Sequence, residues 1–256
     1  MILPASALPV EAPPAFLGVA RSLTGKLWRD RLDARGAARA LAIAQRYQLP
    51  EMLARVLAGR DVEVDAVEDF LDPTIRKLMP DPFTVTQMEE AAKRIAEAAV
   101  RGEKVAIFGD YDVDGATSAA LLAWHLRHCG LDSLIHIPDR IFEGYGPNVE
   151  AVRMLAGKGA TLLVTVDCGT TSAEPLAEAR KLGMSVVVID HHQCGDELPE
   201  VDALVNPNRP DDLSGLGHLA AVGLVLVTLV AVNRELRARG FWTPEMPEPD
   251  LLGMLH

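Results

Sequence analysis

Five short apolar, β-rich runs, Val105 to Phe108, Leu134 to Ile137, Leu162 to Val166, Val186 to Ile189 and Ala203 to Val205, alternate with helically spaced stretches at about 116 to 129, 148 to 157, 173 to 182 and 218 to 238. Short apolar runs separated by helices read as strands buried on both faces. The chain is therefore predicted to be α/β, a mostly parallel sheet with helices on both faces. In such sheets ligands gather outside the carboxyl ends of the strands. Three runs end in acidic motifs. Val-Ala-Ile-Phe leads into Gly109-Asp110-Tyr111-Asp112-Val113-Asp114-Gly115, Leu-Leu-Val-Thr-Val into Asp167, and Val-Val-Val-Ile into Asp190-His191-His192. All three are expected on one edge.

The remainder is organised around that domain. Pro4, Pro9, Pro13 and Pro14 interrupt a stretch without amphipathic period, so residues 1–26 are expected to be a flexible leader. From Gly36 to Ala58, Ala and Leu recur at helical spacing with a break at Pro50, and Val64 to Leu71 suggests a third helix stopped by Asp72-Pro73. Residues 27–82 thus form a helical N-terminal segment with Pro80 and Pro82 as its linker, and 83–256 form the α/β domain, entered through a helix at Met88 to Val100. The longest apolar run, Leu219 to Val232, is 14 residues, too short for a bilayer, and the N-terminus lacks a secretory signal pattern. Cys129, Cys168 and Cys194 form no CxxC pair. A reducing, cytoplasmic location with no membrane partner is expected.

A formal charge of −11 is unusual for a protein that meets nucleic acid, but it is uneven: residues 1–60 carry a net +5 and the rest −16. An acidic body that holds cations, with a basic N-terminal stretch, is one reading; a solvated arginine-rich helix is the other. Asp110, Asp112 and Asp114 alternate, so on an extended segment they would share one side at spacings of about 7 Å. With Asp167 and Asp190 added, five carboxylates crowd one edge, and such a cluster needs cations or protons. Oxygen donors with one or two imidazoles suit Mn²⁺ or Mg²⁺, and a pair of ions would activate water and neutralise a phosphoryl group during in-line displacement. Of the adjacent His191 and His192, one can ligate metal while the other faces substrate.

Other readings of the same residues are weaker. The Asp-x-Asp-x-Asp-Gly run resembles part of a calcium loop, but Leu121 stands where that loop needs Glu. Cys168 and Cys194 flank the motifs without zinc spacing. Gly115 precedes an expected helix start whose open N–H groups suit a phosphate. Arg140 and Tyr145 offer a guanidinium and a ring for a phosphate with a stacked base. The segment from 218 to 232 reads, on composition, as a core helix; its small residues Ala220 to Gly223 would also let backbone approach a ligand.

Gly-Asp-Tyr-Asp-Val-Asp-Gly, Val-Asp-Cys-Gly and Asp-His-His, in this order, resemble the DHH phosphoesterase superfamily and, within it, the RecJ single-strand-specific exonucleases. Phe70-Leu71-Asp72-Pro73, Met79-Pro80-Asp81-Pro82, Arg140 with Glu143-Gly144-Tyr145-Gly146, Val205-Asn206-Pro207-Asn208 and Leu219-Ala220-Ala221-Val222-Gly223 favour that branch. The resemblance implies 5′ to 3′ removal of nucleotides from single-stranded DNA in recombination and repair, with two Mn²⁺ or Mg²⁺ ions and, as partners, a single-strand-binding protein and a helicase. It implies that Asp110 and Asp112 hold one metal, Asp114 and His191 the other, and that Asp167 bridges them, with His192 at the scissile phosphate and Asp190 orienting the imidazoles. The family carries a further metal-ligating Asp beyond the stretch matching Leu251 to His256, and further domains after it. The expectation is therefore a domain truncated at its C-terminal end, with one complete metal site and one lacking a ligand. A phosphodiesterase for short oligonucleotides or cyclic dinucleotides and a non-catalytic nucleic-acid scaffold are the alternative functions.

Overall fold

The computed structural model describes residues 15–255; positions 1–14 of the expected leader lie outside the described residues. The chain divides into two compact units, Met1–Met79 and Pro80–His256.

In the first unit, α1 (Ala34–Tyr47) begins where the Asp33 carboxylate accepts from the Gly36 N–H at 2.7 Å. This cap satisfies an orphan donor and starts the helix two residues before Gly36, the first residue of the expected helical stretch. Gln48, left-handed at φ 52°, ends it, and Pro50, which cannot continue a helix, precedes α2 (Glu51–Ala58). Ile43 of α1 packs with Leu57 of α2 and with Val62 and Val67, each buried aliphatic side chain contributing about 1.5–3 kcal/mol. The short helices α3 (Val67–Leu71) and α4 (Ile75–Leu78) complete the unit. Ahead of α1, Phe16 N–H donates to Trp28 O and Trp28 N–H to Val19 O, closing residues 16–28 into a loop.

The second unit opens with α5 (Met88–Arg101) and carries a five-stranded sheet in the order β2-β1-β3-β4-β5. The strands are β1 (Val105–Gly109), β2 (Ser133–His136), β3 (Leu162–Val166), β4 (Ser185–Ile189) and β5 (Ala203–Val205), and every pairing is parallel. Crossover helices α6 (Val113–His128), α7 (Val149–Gly157) and α8 (Ala173–Lys181) lead between strands, and α9 (Ala221–Ala238) follows β5. Helices α7 and α8 cover one face through Val152, Leu155 and Leu176 against Phe108, Leu163 and Val188; α5, α6 and α9 pack together on the other. Covering on both faces explains why every residue of β1 and β3 is buried.

Two expectations change. Helix α6 starts at Val113 rather than near 116, because Asp112 caps it. Asp112 and Asp114 therefore do not lie on an extended segment; they are brought near Asp110 by a strand, a tight turn and a helix start. Among the described residues no helix is long and apolar enough to cross a membrane.

Helices α6 and α9 are tied inside the core by His125, whose Nε2 lies 2.7 Å from Asn233 Oδ1 with the ring fully buried. Burial lowers the His125 pKa, partly offset by the Asn233 bond. The unfolded chain then takes up this proton below its ordinary pKa of 6.5 while the folded chain resists it. Stability is held above that pKa and lost as pH falls below it, by up to about 1.4 kcal/mol per pH unit. Between about pH 7.5 and about pH 5.5 the urea midpoint of the wild-type chain is expected to fall further than that of a His125→Gln variant; equal falls would exonerate this ring.

Candidate metal centre

Strand register sets the row of acidic groups. Gly109, Val166, Ile189 and Val205 are paired neighbours across β1, β3, β4 and β5. The residues that follow them, Asp110, Asp167, Asp190 and Asn206, leave the sheet side by side, and all four are at most 4% exposed.

Around Asp110 the chain doubles back tightly. Asp112, the N-cap of α6, accepts from Gly115 N–H at 3.0 Å, and Asp114 sits in the first turn. The Gly115 donor proposed for a phosphate is thus already engaged, because it is the third N–H of the helix, the one an N-cap side chain reaches. Gly115 serves another need: a Cβ there would lie 2.5 Å from Asp110 O and 2.6 Å from Asp110 N, so only glycine lets helix and turn approach. Asp114 accepts from the backbone of α9, Oδ2 from Ala221 N–H and Oδ1 from Val222 N–H, each at 2.8 Å. Those are orphan donors at a helix start whose own N-cap residue, Ala220, has no side-chain hydrogen bond.

The same segment orients His191. Its Nδ1 lies 2.8 Å from Leu219 O; a carbonyl only accepts, so Nδ1 carries a hydrogen, and in the neutral ring the lone pair is on Nε2. That nitrogen stands 3.2 Å from Asp167 Oδ1 and 3.6 Å from Asp114 Oδ2. A lone pair facing two carboxylates requires a proton or a cation between them.

Asp167 shows the same demand. It is held at φ 60°, a left-handed conformation rare for a residue with a Cβ. Its Oδ1 is buried and has no hydrogen-bond partner among the described residues, the His191 approach lacking the geometry of one. Burial, then the charges of Asp114 and Asp112, push its pKa up to about 8. Burial and Asp112 also raise Asp110. Asp190 behaves oppositely. Burial works against its charge, yet the His192 side chain and Thr170 outweigh it and hold the pKa down to about 2. Its Oδ1 accepts from His191 N–H and from His192 N–H and Nδ1, and its Oδ2 from Thr170 N–H. Asp190 is therefore spent on orienting the histidines.

His192, held 2.7 Å from Asp190 by Nδ1, has its pKa raised chiefly by that bond. The Tyr145 hydroxyl lies 3.3 Å from both of its ring nitrogens and donates to Asp167 O. Arg140 stacks its guanidinium 4.5 Å from the centre of the Tyr111 ring, next to Asp110. Two sets of donors can each converge on one ion, Asp110 with Asp112 and Asp167, and Asp167 with His191 and His192; within each set the ligand atoms lie within 4.8 Å of one another. An orphaned buried oxygen, an imidazole lone pair and crowded carboxylates fit hard divalent ions such as Mn²⁺ or Mg²⁺. The nearby cysteines do not join them. Cys168 is packed in the core with its Sγ against Phe108 O and Val166 O, and Cys194 lies against Asn208 O.

Sequence reasoning missed the polar residues that hold this geometry from behind. Asn206 donates to Thr170 Oγ1 and His192 O and accepts from Asn208 N–H, and Asn208 donates to His191 O. The only signal was their place in the Val205 to Asn208 run. Asn206 is fully buried, so Asn206→Ala is expected to lower stability by about 1–3 kcal/mol and to loosen both histidines; an unchanged urea midpoint would contradict this.

Residues 104–254 match the DHH family, N-terminal domain. The single-stranded-DNA-specific exonuclease RecJ of Bacillus subtilis is 40% identical over 61% of this chain, and that of Salmonella typhimurium 35% identical over 81%. The chain spans only 20% and 35% of the length of these two relatives. A crystal structure of RecJ from Thermus thermophilus in complex with Mn²⁺ superposes with a TM-score of 0.63 at 27% identity, covering 78% of this chain and 28% of the other.

Proposed function

The chain belongs to the DHH family, and from that premise we propose that it carries the metal-dependent phosphodiesterase centre of a 5′ to 3′ exonuclease acting on single-stranded DNA in recombination and repair. The observation that carries the reading is the buried Asp167 Oδ1, without a hydrogen bond among the described residues, facing His191 Nε2 at 3.2 Å. The single-stranded-DNA-specific exonucleases it resembles supply the substrate class. A cytoplasmic location, and a single-strand-binding protein and a helicase as partners, follow from the same reading.

Asp110, Asp112, Asp114, Asp167 and His191 would hold the ions. Bound there, divalent cations supply charge neutralisation on the phosphoryl oxygens and activation of the attacking water. His192, whose pKa the Asp190 bond raises, stands ready to stabilise the phosphate and, when protonated, to give its proton to the leaving oxygen. Tyr145 fixes the edge of that imidazole, and Arg140, braced on Tyr111, adds a cation where the strand's phosphates arrive. Gly115 and Asn206 act as positioning residues behind these groups.

The test is nucleotide release from a 5′-phosphorylated single strand with Mn²⁺, using a chain extended past His256, compared with a dinucleotide substrate. Release that depends on Mn²⁺, prefers the long strand and is lost on Asp112→Ala supports the reading. Equal release by Asp112→Ala would sink it.

A further inference from the structure

We propose that the arginine-lined grooves of the N-terminal unit bind the phosphate backbone of a single-stranded polynucleotide. This rests on the reading of a nucleic-acid substrate and adds a contact surface on the first unit. Two adjoining grooves, of about 410 and 380 Å³, share Arg31, Leu32 and Gly59 in their walls. Together they are lined by six arginines against three aspartates.

The aspartates are committed within the unit. Asp33 caps α1, Asp30 pairs with Arg55 at 2.7 Å, and Asp61 lies 3.5 Å from Arg39, which also pairs with Glu63. Arg29, Arg31, Arg35 and Arg60 are left exposed, with no ion-pair partner among the described residues. Four unneutralised guanidiniums along one continuous depression repel one another and call for a ligand with repeated anionic groups. The guanidinium fork matches phosphate in a bidentate way. Trp28, 47% exposed and next to Arg29, adds a ring on which a base can stack. The excess of positive charge in residues 1–60 of an otherwise acidic chain is thus gathered into a usable surface.

The experiment is anisotropy of a labelled long oligothymidylate on the 256-residue chain, without divalent ions, over a series of salt concentrations. Removing three phosphate contacts with Arg31→Gln, Arg35→Gln and Arg60→Gln together is expected to weaken binding about tenfold and to make the log–log salt slope shallower by about 2. The three corresponding Arg→Lys changes should recover most of the slope, showing that the unit is still folded. A control with Arg127→Gln, Lys158→Gln and Lys181→Gln removes the same charge from the other unit and should bind like wild type. An unchanged affinity and slope in the groove variant, an equal loss in the control, or displacement of the strand by an acidic peptide as readily as by oligothymidylate would overturn the proposal. Groove-dependent binding by a chain that releases no nucleotide when extended and given Mn²⁺ would instead leave this surface standing and remove the nuclease reading.

Discussion

Asp167→Asn is expected to reduce Mn²⁺-dependent phosphodiester hydrolysis by about a thousandfold or more, since a ligand shared by both donor sets supports several kcal/mol of charge stabilisation. The same substitution is expected to stabilise the metal-free protein. A buried carboxyl whose pKa is pushed up to about 8 keeps its proton in the folded chain when the unfolded chain has released it above the ordinary value of 3.8. The folded state then binds more protons between these values, so its stability falls as pH rises through that window. The penalty is absent below the lower value and complete above the upper one. Asparagine removes it, so the variant's metal-free melting temperature should exceed that of the wild type at neutral pH, and its stability should decline less with rising pH. Added Mn²⁺ should raise the melting temperature of the wild type and leave the variant nearly unmoved. Lower activity together with lower metal-free stability would mean that Asp167 is a structural residue and not a ligand.

Gly115→Ala carries the second large effect. Its Cβ would meet three backbone atoms of Asp110, the nearest at 2.5 Å, and none of them is the flexible end of a side chain. Either α6 retreats or the turn carrying Asp110 moves. Overpacking of this kind costs about 1–3 kcal/mol, and a shift of about 1 Å at a reacting centre costs about a hundredfold in rate. Activity should fall at least that far while the circular dichroism spectrum stays that of the wild type. Full activity in Gly115→Ala would show that the turn at Asp110 can rearrange freely. Asp112 makes the same point from the other side, since it both caps α6 and belongs to a donor set.

The strands were legible because burial on both faces forces continuous apolar runs, and Val105 to Phe108 or Val186 to Ile189 can hardly be anything else. The acidic motifs were legible because charge at successive strand ends has no structural explanation. Register was not. Nothing in the letters says that Gly109, Val166, Ile189 and Val205 align, so Asn206 went unnoticed as the fourth member of the row. The spacing of Asp110, Asp112 and Asp114 suggested alternation on a strand because two-residue periodicity is ambiguous; the cap at Asp112 made it a helix start. The small residues Ala220 to Gly223 at the start of α9 suggest that backbone can come close there, but not which groups it offers, Leu219 O for His191 and the Ala221 and Val222 N–H groups for Asp114. Backbone donors and acceptors belong to no residue type, so no sequence pattern announces them. Gly115 reads in sequence as a possible phosphate donor, but its closeness to Asp110 is a property of the folded turn.

The centre itself is tested most directly by anomalous scattering at the manganese edge from crystals grown with Mn²⁺. The expected result is a peak bounded by Asp167 Oδ1 and His191 Nε2, which lie 3.2 Å apart and should part to admit an ion, with a second peak within reach of Asp110 and Asp112. Crystals in which Mn²⁺ binds only elsewhere, leaving Asp167 and His191 in mutual contact, would contradict a metal-dependent phosphodiesterase.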